Sequence, residues 1–334
     1  MATRSADDKA LGHPVPDGII ALRRRFFFVI NTRAGNYHKW LVPMRIGEFL
    51  TRERVTGEVH YLKCTESLKE RLDAAYEDGY RHFVVVGGDG SISIVASQLR
   101  DKDCDIGIVP VGTTNMLAQL LGIPLGARRS LDILLSSTHT RAADALDING
   151  RLFFLNASAG LSSFSISDLR TVEKSYFKLL AYVFAVGRSM RKAKTRKFRV
   201  TINGHLESIE AAELFVDNAG ALWTPRYRTS DAKLDDGTAE VCYVNKATLI
   251  ELGNAILDVL LVRKTRLGVR RVASAQTVSI DCEECIPVQA DGDAIGFTPV
   301  DITVIPAAAR FIVPEPRESL PQAATYMPTL RDLR

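Results

Sequence analysis

From Arg24 to about Thr138 the chain alternates short apolar runs with stretches that place an apolar residue every three or four positions. Residues 26–31, 58–63, 82–86 and 106–111 have the length and the β-branched or aromatic content of strands. Residues 39–54 and 66–78 are helical in period, the second with Leu68, Leu72 and Ala75 on one face, and helix-compatible sequence follows the third and fourth strands. Such β-α alternation predicts a parallel sheet covered by helices. Beyond Thr138 the pattern changes. Asn149-Gly150 and Asn203-Gly204 sit between β-prone runs, a strong signal for hairpins. Further strands fit 152–157, 198–202, 210–216, 240–244, 277–281 and 301–305, with helical stretches at 175–192 and 247–262. The reading is a tail (1–22), an α/β domain with a parallel sheet (23–140), a β-rich domain (141–314) and a C-terminal tail (315–334), with no internal repeat.

Composition changes this picture little. At 334 residues, 46% hydrophobic and 25% charged, the chain is of ordinary globular make-up and long enough for two cores. A net charge of +4 gives no argument for a nucleic-acid partner. Cys64, Cys104, Cys242, Cys282 and Cys285 are an odd, scattered set, which points to reduced thiols in a cytoplasmic compartment rather than a secreted disulfide framework. Cys282-Glu-Glu-Cys285 has neither a second pair nor nearby histidines, and reads as incidental thiols in a hairpin. Asp7, Asp8 and Asp17, without an apolar core segment, speak against a signal peptide. The longest apolar stretch, residues 179–187, falls far short of the ~20 residues of a membrane span, so any membrane contact is expected to be peripheral.

The chemistry concentrates in two turns. Gly87-Gly88-Asp89-Gly90-Ser91 and Gly112-Thr113-Thr114-Asn115 each leave an apolar strand and enter helical sequence, about 25 residues apart. Glycine lets backbone approach a ligand or adopt positive φ, and a helix N-terminus offers free N–H groups to phosphate. Parallel strand ends are where open α/β sheets bind ligands. Neither a Walker loop nor a dinucleotide fingerprint is present. Asp89 is placed to face a metal–nucleotide complex or, more simply, to cap a helix. Thr113, Thr114 and Asn115 offer donors to phosphate oxygens, and the loop Asn31-Thr32-Arg33-Ala34-Gly35 adds an arginine. Late in the chain, Asp291-Gly292-Asp293 is either a plain β-turn or a hairpin tip carrying a catalytic carboxylate. Residues 231–237 are an acidic turn or a set of oxygen ligands for Mg²⁺.

Taken in order, these motifs resemble the diacylglycerol kinase catalytic family, the lipid kinases that include bacterial diacylglycerol kinases and sphingosine and ceramide kinases. The resemblance runs from about Arg24 to Pro314. GGDGS matches the family's GGDG[TS], GTTNMLA its G-T-x-N-x-x-A and NTRAG, loosely, its N-P-x-[SA]-G, with KLDDG and DGD following in the expected order. It implies a nucleotide-binding α/β domain followed by a β-sandwich domain, with ATP between them and Mg²⁺ as the ion. The implied nucleotide contacts are Asn31, Thr32, Arg33, Ala34, Gly35, Thr65, Gly87, Gly88, Asp89, Gly90, Ser91, Gly112, Thr113 and Asn115. The implied base is Asp293, with Asp89 as a second catalytic acid. The implied metal site is Lys233, Asp236 and Thr238, partly through backbone oxygens, supported by Asp144 with Asp147 as its rival. This sequence departs from the family at Asp293 (one methylene shorter than Glu), at Thr32 (in place of Pro), at residues 93–96 (in place of an Asn-Glu pair) and at Met116 (in place of Asp).

The implied activity is ATP-dependent phosphorylation of a lipid hydroxyl, of diacylglycerol or a related acylglycerol or sphingoid lipid, at the inner face of the membrane. Arg188, Arg191, Lys192, Lys194, Arg196, Lys197 and Arg199 follow the apolar residues 176–186 and read either as a solvated helix end or as a docking surface for anionic lipid. Two other readings stay open: an enzyme like NAD kinase or phosphofructokinase, which also carry GGDG turns, and a nucleotide-binding chain without turnover that recruits partners at a membrane. The sequence leaves room for a homodimer.

Overall fold

The computed structural model describes residues 24–62, 67–160, 195–220, 232–244 and 270–315. The helical stretches expected at 175–192 and 247–262, Thr65 and most of the basic run 188–199 lie outside them. The first half is built as strand β1 (Arg25–Ile30), helix α1 (Leu41–Arg52), β2 (Thr56–Tyr61), α2 (Leu68–Glu77), β3 (His82–Gly87), α3 (Asp89–Leu99), β4 (Asp105–Pro110), α4 (Met116–Leu120) and α5 (Ala127–Ser136). Strands β2-β1-β3-β4 are parallel. Strands β1, β3 and β4 are buried on both faces, as their unbroken apolar runs require, with every residue of 26–30 and 83–86 inaccessible to solvent, while the edge strand β2 is largely exposed. Val42, Ile46 and Phe49 on α1 pack with Leu131 and Leu134 of α5 on one face, while Leu72 and Ala75 of α2 join α3 on the other. Ser67 caps α2 by accepting the N–H of Glu70.

The second half is antiparallel: β5 (Thr140–Ile148), β6 (Arg151–Phe153), β7 (Asn156–Gly160), β8 (Arg196–Ile202), β9 (His205–Ala211), β10 (Glu213–Asp217), β11 (Ala239–Val244), β12 (Arg270–Ala275), β13 (Thr277–Cys282), β14 (Pro287–Ala290), β15 (Asp293–Phe297) and β16 (Val300–Ile312). Both Asn-Gly pairs form two-residue hairpin turns with both residues at positive φ, joining β5 to β6 and β8 to β9. The runs expected as single strands at 152–157 and 210–216 each break in two, because the chain leaves one sheet for the other at Phe154–Leu155 and at Ala212.

Two sheets result. One is β12-β11-β10-β7-β14-β15. The other runs through both halves in the order β2-β1-β3-β4-β16-β13-β8-β9, with β5 and β6 paired off β16. Strand β16 is the joint: it pairs in parallel with β4 at Phe311–Ile106 and antiparallel with β5 and β13. The second core, including Phe198, Leu214, Val241, Ile280 and Val288, fills the space between the sheets as a β-sandwich.

Candidate active site

Three loops meet at the C-terminal edge of the parallel strands. The β3–α3 and β4–α4 turns touch backbone to backbone: a Cβ on Gly112 would lie 2.5 Å from Cα of Gly88. Neither glycine has positive φ, so close approach, not turn geometry, requires them. The β1–α1 loop closes the third side. A Cβ on Gly35 would lie 2.5 Å from the Thr113 hydroxyl, and the Asn36 amide donates to the Gly112 carbonyl at 2.8 Å.

Within this cradle the polar side chains mostly hold one another. Asn31 donates to the Ser91 hydroxyl at 2.9 Å and accepts the N–H of Arg33. Asn115, at positive φ, accepts the Gly112 N–H and donates to the Gly112 carbonyl. Asp89 is buried and accepts from the Thr114 hydroxyl and from the N–H groups of Met116 and Leu117, each at 3.0 Å. It is a helix cap, as the simpler sequence reading had it, but for α4 rather than for its own helix. Helix α3 starts at Gly88 with no side-chain cap, so its first N–H groups face the cleft free of a side-chain acceptor. Of the groups offered as phosphate donors, Asn31, Ser91, Thr114 and Asn115 are occupied in building the cradle. Gly88 and Gly90 at the start of α3 are partly exposed, and Thr113 together with Thr32 and Arg33 of the first loop is exposed.

The opposite wall comes from the second half. Asp291 and Gly292 form a two-residue hairpin turn between β14 and β15, both at positive φ. The turn residue is partly exposed, but its carboxylate points inward and accepts the N–H groups of Phe154, Leu155 and Asn156 at 2.8–3.0 Å. Burial pushes its pKa up to about 7 against the opposing pull of those three N–H groups. With the turn fixed, Asp293 stands over the start of α3: its Oδ2 would be 3.1 Å from a Cβ on Gly90. Arg151, the first residue of β6, donates from Nη2 to that oxygen at 2.7 Å and lies over the Phe153 ring. The Arg151 Nε is buried without a partner. Helix α3 and β6 are joined by the Leu152 N–H donating to Ser97 at 2.8 Å and by Ser93 donating to the Leu152 carbonyl. The DGD segment is thus a two-residue β-turn at Asp291-Gly292, as its simpler reading has it, and the turn sets the Asp293 carboxylate beside the start of α3. Arg151 carried no signal in the sequence beyond its place after an Asn-Gly turn.

Residues 25–148 match the diacylglycerol kinase catalytic domain, and residues 158–313 match the YegS C-terminal NAD kinase beta sandwich-like domain. The chain belongs to the diacylglycerol kinase catalytic-domain family. A diacylglycerol kinase of Staphylococcus aureus (strain JH9) is 23% identical over 286 residues, covering 84% of this chain and 89% of that one. A solved diacylglycerol kinase from Bacillus anthracis str. Sterne superposes with a TM-score of 0.68 at 20% identity, over 87% of this chain and 97% of the other. A second structure from that organism gives 0.70 at 20% identity, over 87% and 95%. At that identity the structures bear on the fold alone.

A kinase of this family commonly works with a divalent cation, and the acidic turn before β11 offers the oxygen-bearing side chains for one. Asp236 accepts from the N–H groups of Lys233 and Thr238 and from the Thr238 hydroxyl. Asp144, buried on β5, accepts the N–H groups of Gly237 and Ala307 at 2.6 and 2.8 Å. Asp147 is paired with Arg100 at 2.7 Å. These carboxylates close a hydrogen-bonded turn rather than an open ligand cage, and among the described residues no group of three His, Cys, Asp or Glu is placed to hold a metal. The side chains of this turn therefore do not by themselves form a cage for a resident cation. The thiols of Cys104 and Cys242 are pushed by burial up to about 11 and about 12, which keeps them protonated at neutral pH.

Proposed function

We propose that this member of the family transfers the γ-phosphate of ATP to the hydroxyl of a lipid, of diacylglycerol or a related acylglycerol or sphingoid class, at the cytoplasmic face of a membrane. The observation that carries the reading is the position of Asp293, a carboxylate from the second domain set directly over the uncapped start of α3. Phosphate on those N–H groups meets a partial positive charge, and Arg33 and Thr113 flank the same edge. The acceptor oxygen then lies between Asp293 and the terminal phosphate. As it attacks, its proton passes to a carboxylate oxygen of Asp293, the new O–P bond forms, and the bond from the terminal phosphorus to the bridging oxygen breaks to release ADP. Arg151 holds the carboxylate in place and is itself within reach of charge that develops on the transferring group. A divalent cation would enter with the nucleotide and neutralise phosphate charge.

The pair Arg151–Asp293 is partly exposed, so its value is positional and its contribution to stability small. Asp293→Asn is expected to lower kcat by about 100-fold or more while ATP affinity stays unchanged. Arg151→Met is expected to lower kcat with a smaller effect on KM, with partial recovery in Arg151→Lys. Turnover by Asp293→Asn at the wild-type rate would remove the base. ATP binding without product from any lipid, in the wild-type protein, would favour a nucleotide-binding regulator.

A further inference from the structure

Nine large hydrophobic side chains are exposed among the described residues, and four of them gather at one place: Trp40 (86% exposed), Leu41, Met44 and Leu125. Trp40 is the first residue before α1, with Leu41 and Met44 in its opening turn. Leu125 immediately precedes α5, and a groove of about 670 Å³ runs between Leu41 and Arg45 on one side and Leu125, Arg128 and Arg129 on the other. The patch is rimmed by cations. The nearby acids Glu48 and Asp132 are already paired with Arg45 and Arg52, each at 2.9 Å. Lys39, Arg128 and Arg129 have no ion-pair partner among the described residues.

The helix starts sharpen this imbalance. Neither α1 nor α5 has a side-chain cap or an acid in its first turn. Arg128 and Arg129 stand in the first turn of α5, where the helix dipole already disfavours positive charge. An exposed tryptophan with aliphatic neighbours, ringed by cations on two positive helix ends, is poorly matched to water and well matched to a bilayer interface with anionic headgroups. Its location gives the match a purpose. Lys39 and Trp40 continue directly from the loop whose Gly35 packs on Thr113, so the patch adjoins the mouth of the nucleotide cleft.

We propose that the face formed by Trp40, Leu41, Met44 and Leu125, with Lys39, Arg128 and Arg129, docks this protein on an anionic membrane. The attachment stands on the surface itself; only the idea that it delivers the acceptor to the cleft rests on the lipid-kinase reading. The described part of the other basic run is less suited, because Arg196 and Arg199 are paired with Glu284 and Asp281 on the far side of the long sheet.

The test is co-sedimentation of the full chain with phosphatidylcholine vesicles, with and without phosphatidylglycerol, at low and high salt. Wild-type protein is expected to bind only the anionic vesicles and to release in salt. Arg128→Glu/Arg129→Glu and Trp40→Ser/Leu125→Ser are each expected to weaken binding about tenfold or more, while Lys197→Glu leaves it unchanged. Trp40 emission should shift to the blue on binding, against the Trp223 background read from Trp40→Phe. Wild-type binding in both double variants would overturn the proposal, as would a concentration-dependent dimer, lost in Trp40→Ser, with no vesicle affinity. Vesicle binding without any phosphate transfer would sink the kinase reading and leave the docking face standing. Transfer to detergent-dispersed lipid, with vesicle binding unaffected by the variants, would do the reverse.

Discussion

Gly112 shows how a single residue type can be dictated by contact rather than by dihedral angle. Its φ is not positive, yet a methyl group there would meet the Cα of Gly88 at 2.5 Å and the Asn115 side chain at 2.6 Å. Backbone cannot yield as a flexible side chain can, so Gly112→Ala must separate the two turns. The expected outcome is a stability loss of about 1–3 kcal/mol together with a marked loss of ATP affinity, measured by urea unfolding and by titration calorimetry. An alanine variant that binds ATP normally would show that the two turns need not touch. Asp89 illustrates the opposite case, a residue whose type was legible and whose partner was not. An acid in a glycine turn reads equally as a phosphate-site group or as a cap. Only the approach of α4 assigns its two oxygens.

At the level of elements, the β14–β15 hairpin places the proposed base, and Asp291 fixes the hairpin. Its carboxyl titrates near 7 in the folded protein against 3.8 as its ordinary value. The folded state therefore holds a proton that the unfolded chain has released between those values. The resulting stabilisation is fully present below about pH 4 and is lost as pH rises through about 7. Compared with Asp291→Asn, whose side chain does not titrate, the wild-type protein should lose stability by up to about 4 kcal/mol over that interval. Urea unfolding of both proteins from pH 4 to 8 measures it, and a constant difference would contradict the assignment. The hairpin was visible in the sequence as an Asp-Gly turn. That its first acid serves the fold and its second the cleft was not, because both meet their partners across more than 130 residues of chain.

For the whole molecule, β16 is the element on which both halves depend. It covers the edge of β4, pairs with β5 and β13, and sends Phe311 into the first core against Phe154. Residues 24–148 alone would leave β4 with an open edge and a cavity where Phe311 and Phe154 belong. The expected result is an aggregation-prone fragment without a cooperative thermal transition, whereas the full chain is expected to unfold in a single transition followed by circular dichroism. A fragment that melts cooperatively near the full-length midpoint would show the halves to be independent.

The sequence by itself determined the local elements and the chemistry available. Apolar runs and helical periods located the first four strands and the helices α1 and α2, the Asn-Gly pairs located two hairpins, and the ordered glycine motifs identified the family, because each of these signals is carried by neighbouring residues. Tertiary structure alone decided which polar groups face the cleft. Asn31, Asp89, Thr114 and Asn115 are taken up by groups of the neighbouring loops, while Asp293, Arg151 and the start of α3 are drawn together from distant parts of the chain. A hydrogen-bonding group can satisfy a neighbour or a ligand equally well, and its choice is made by packing between elements that no local pattern records.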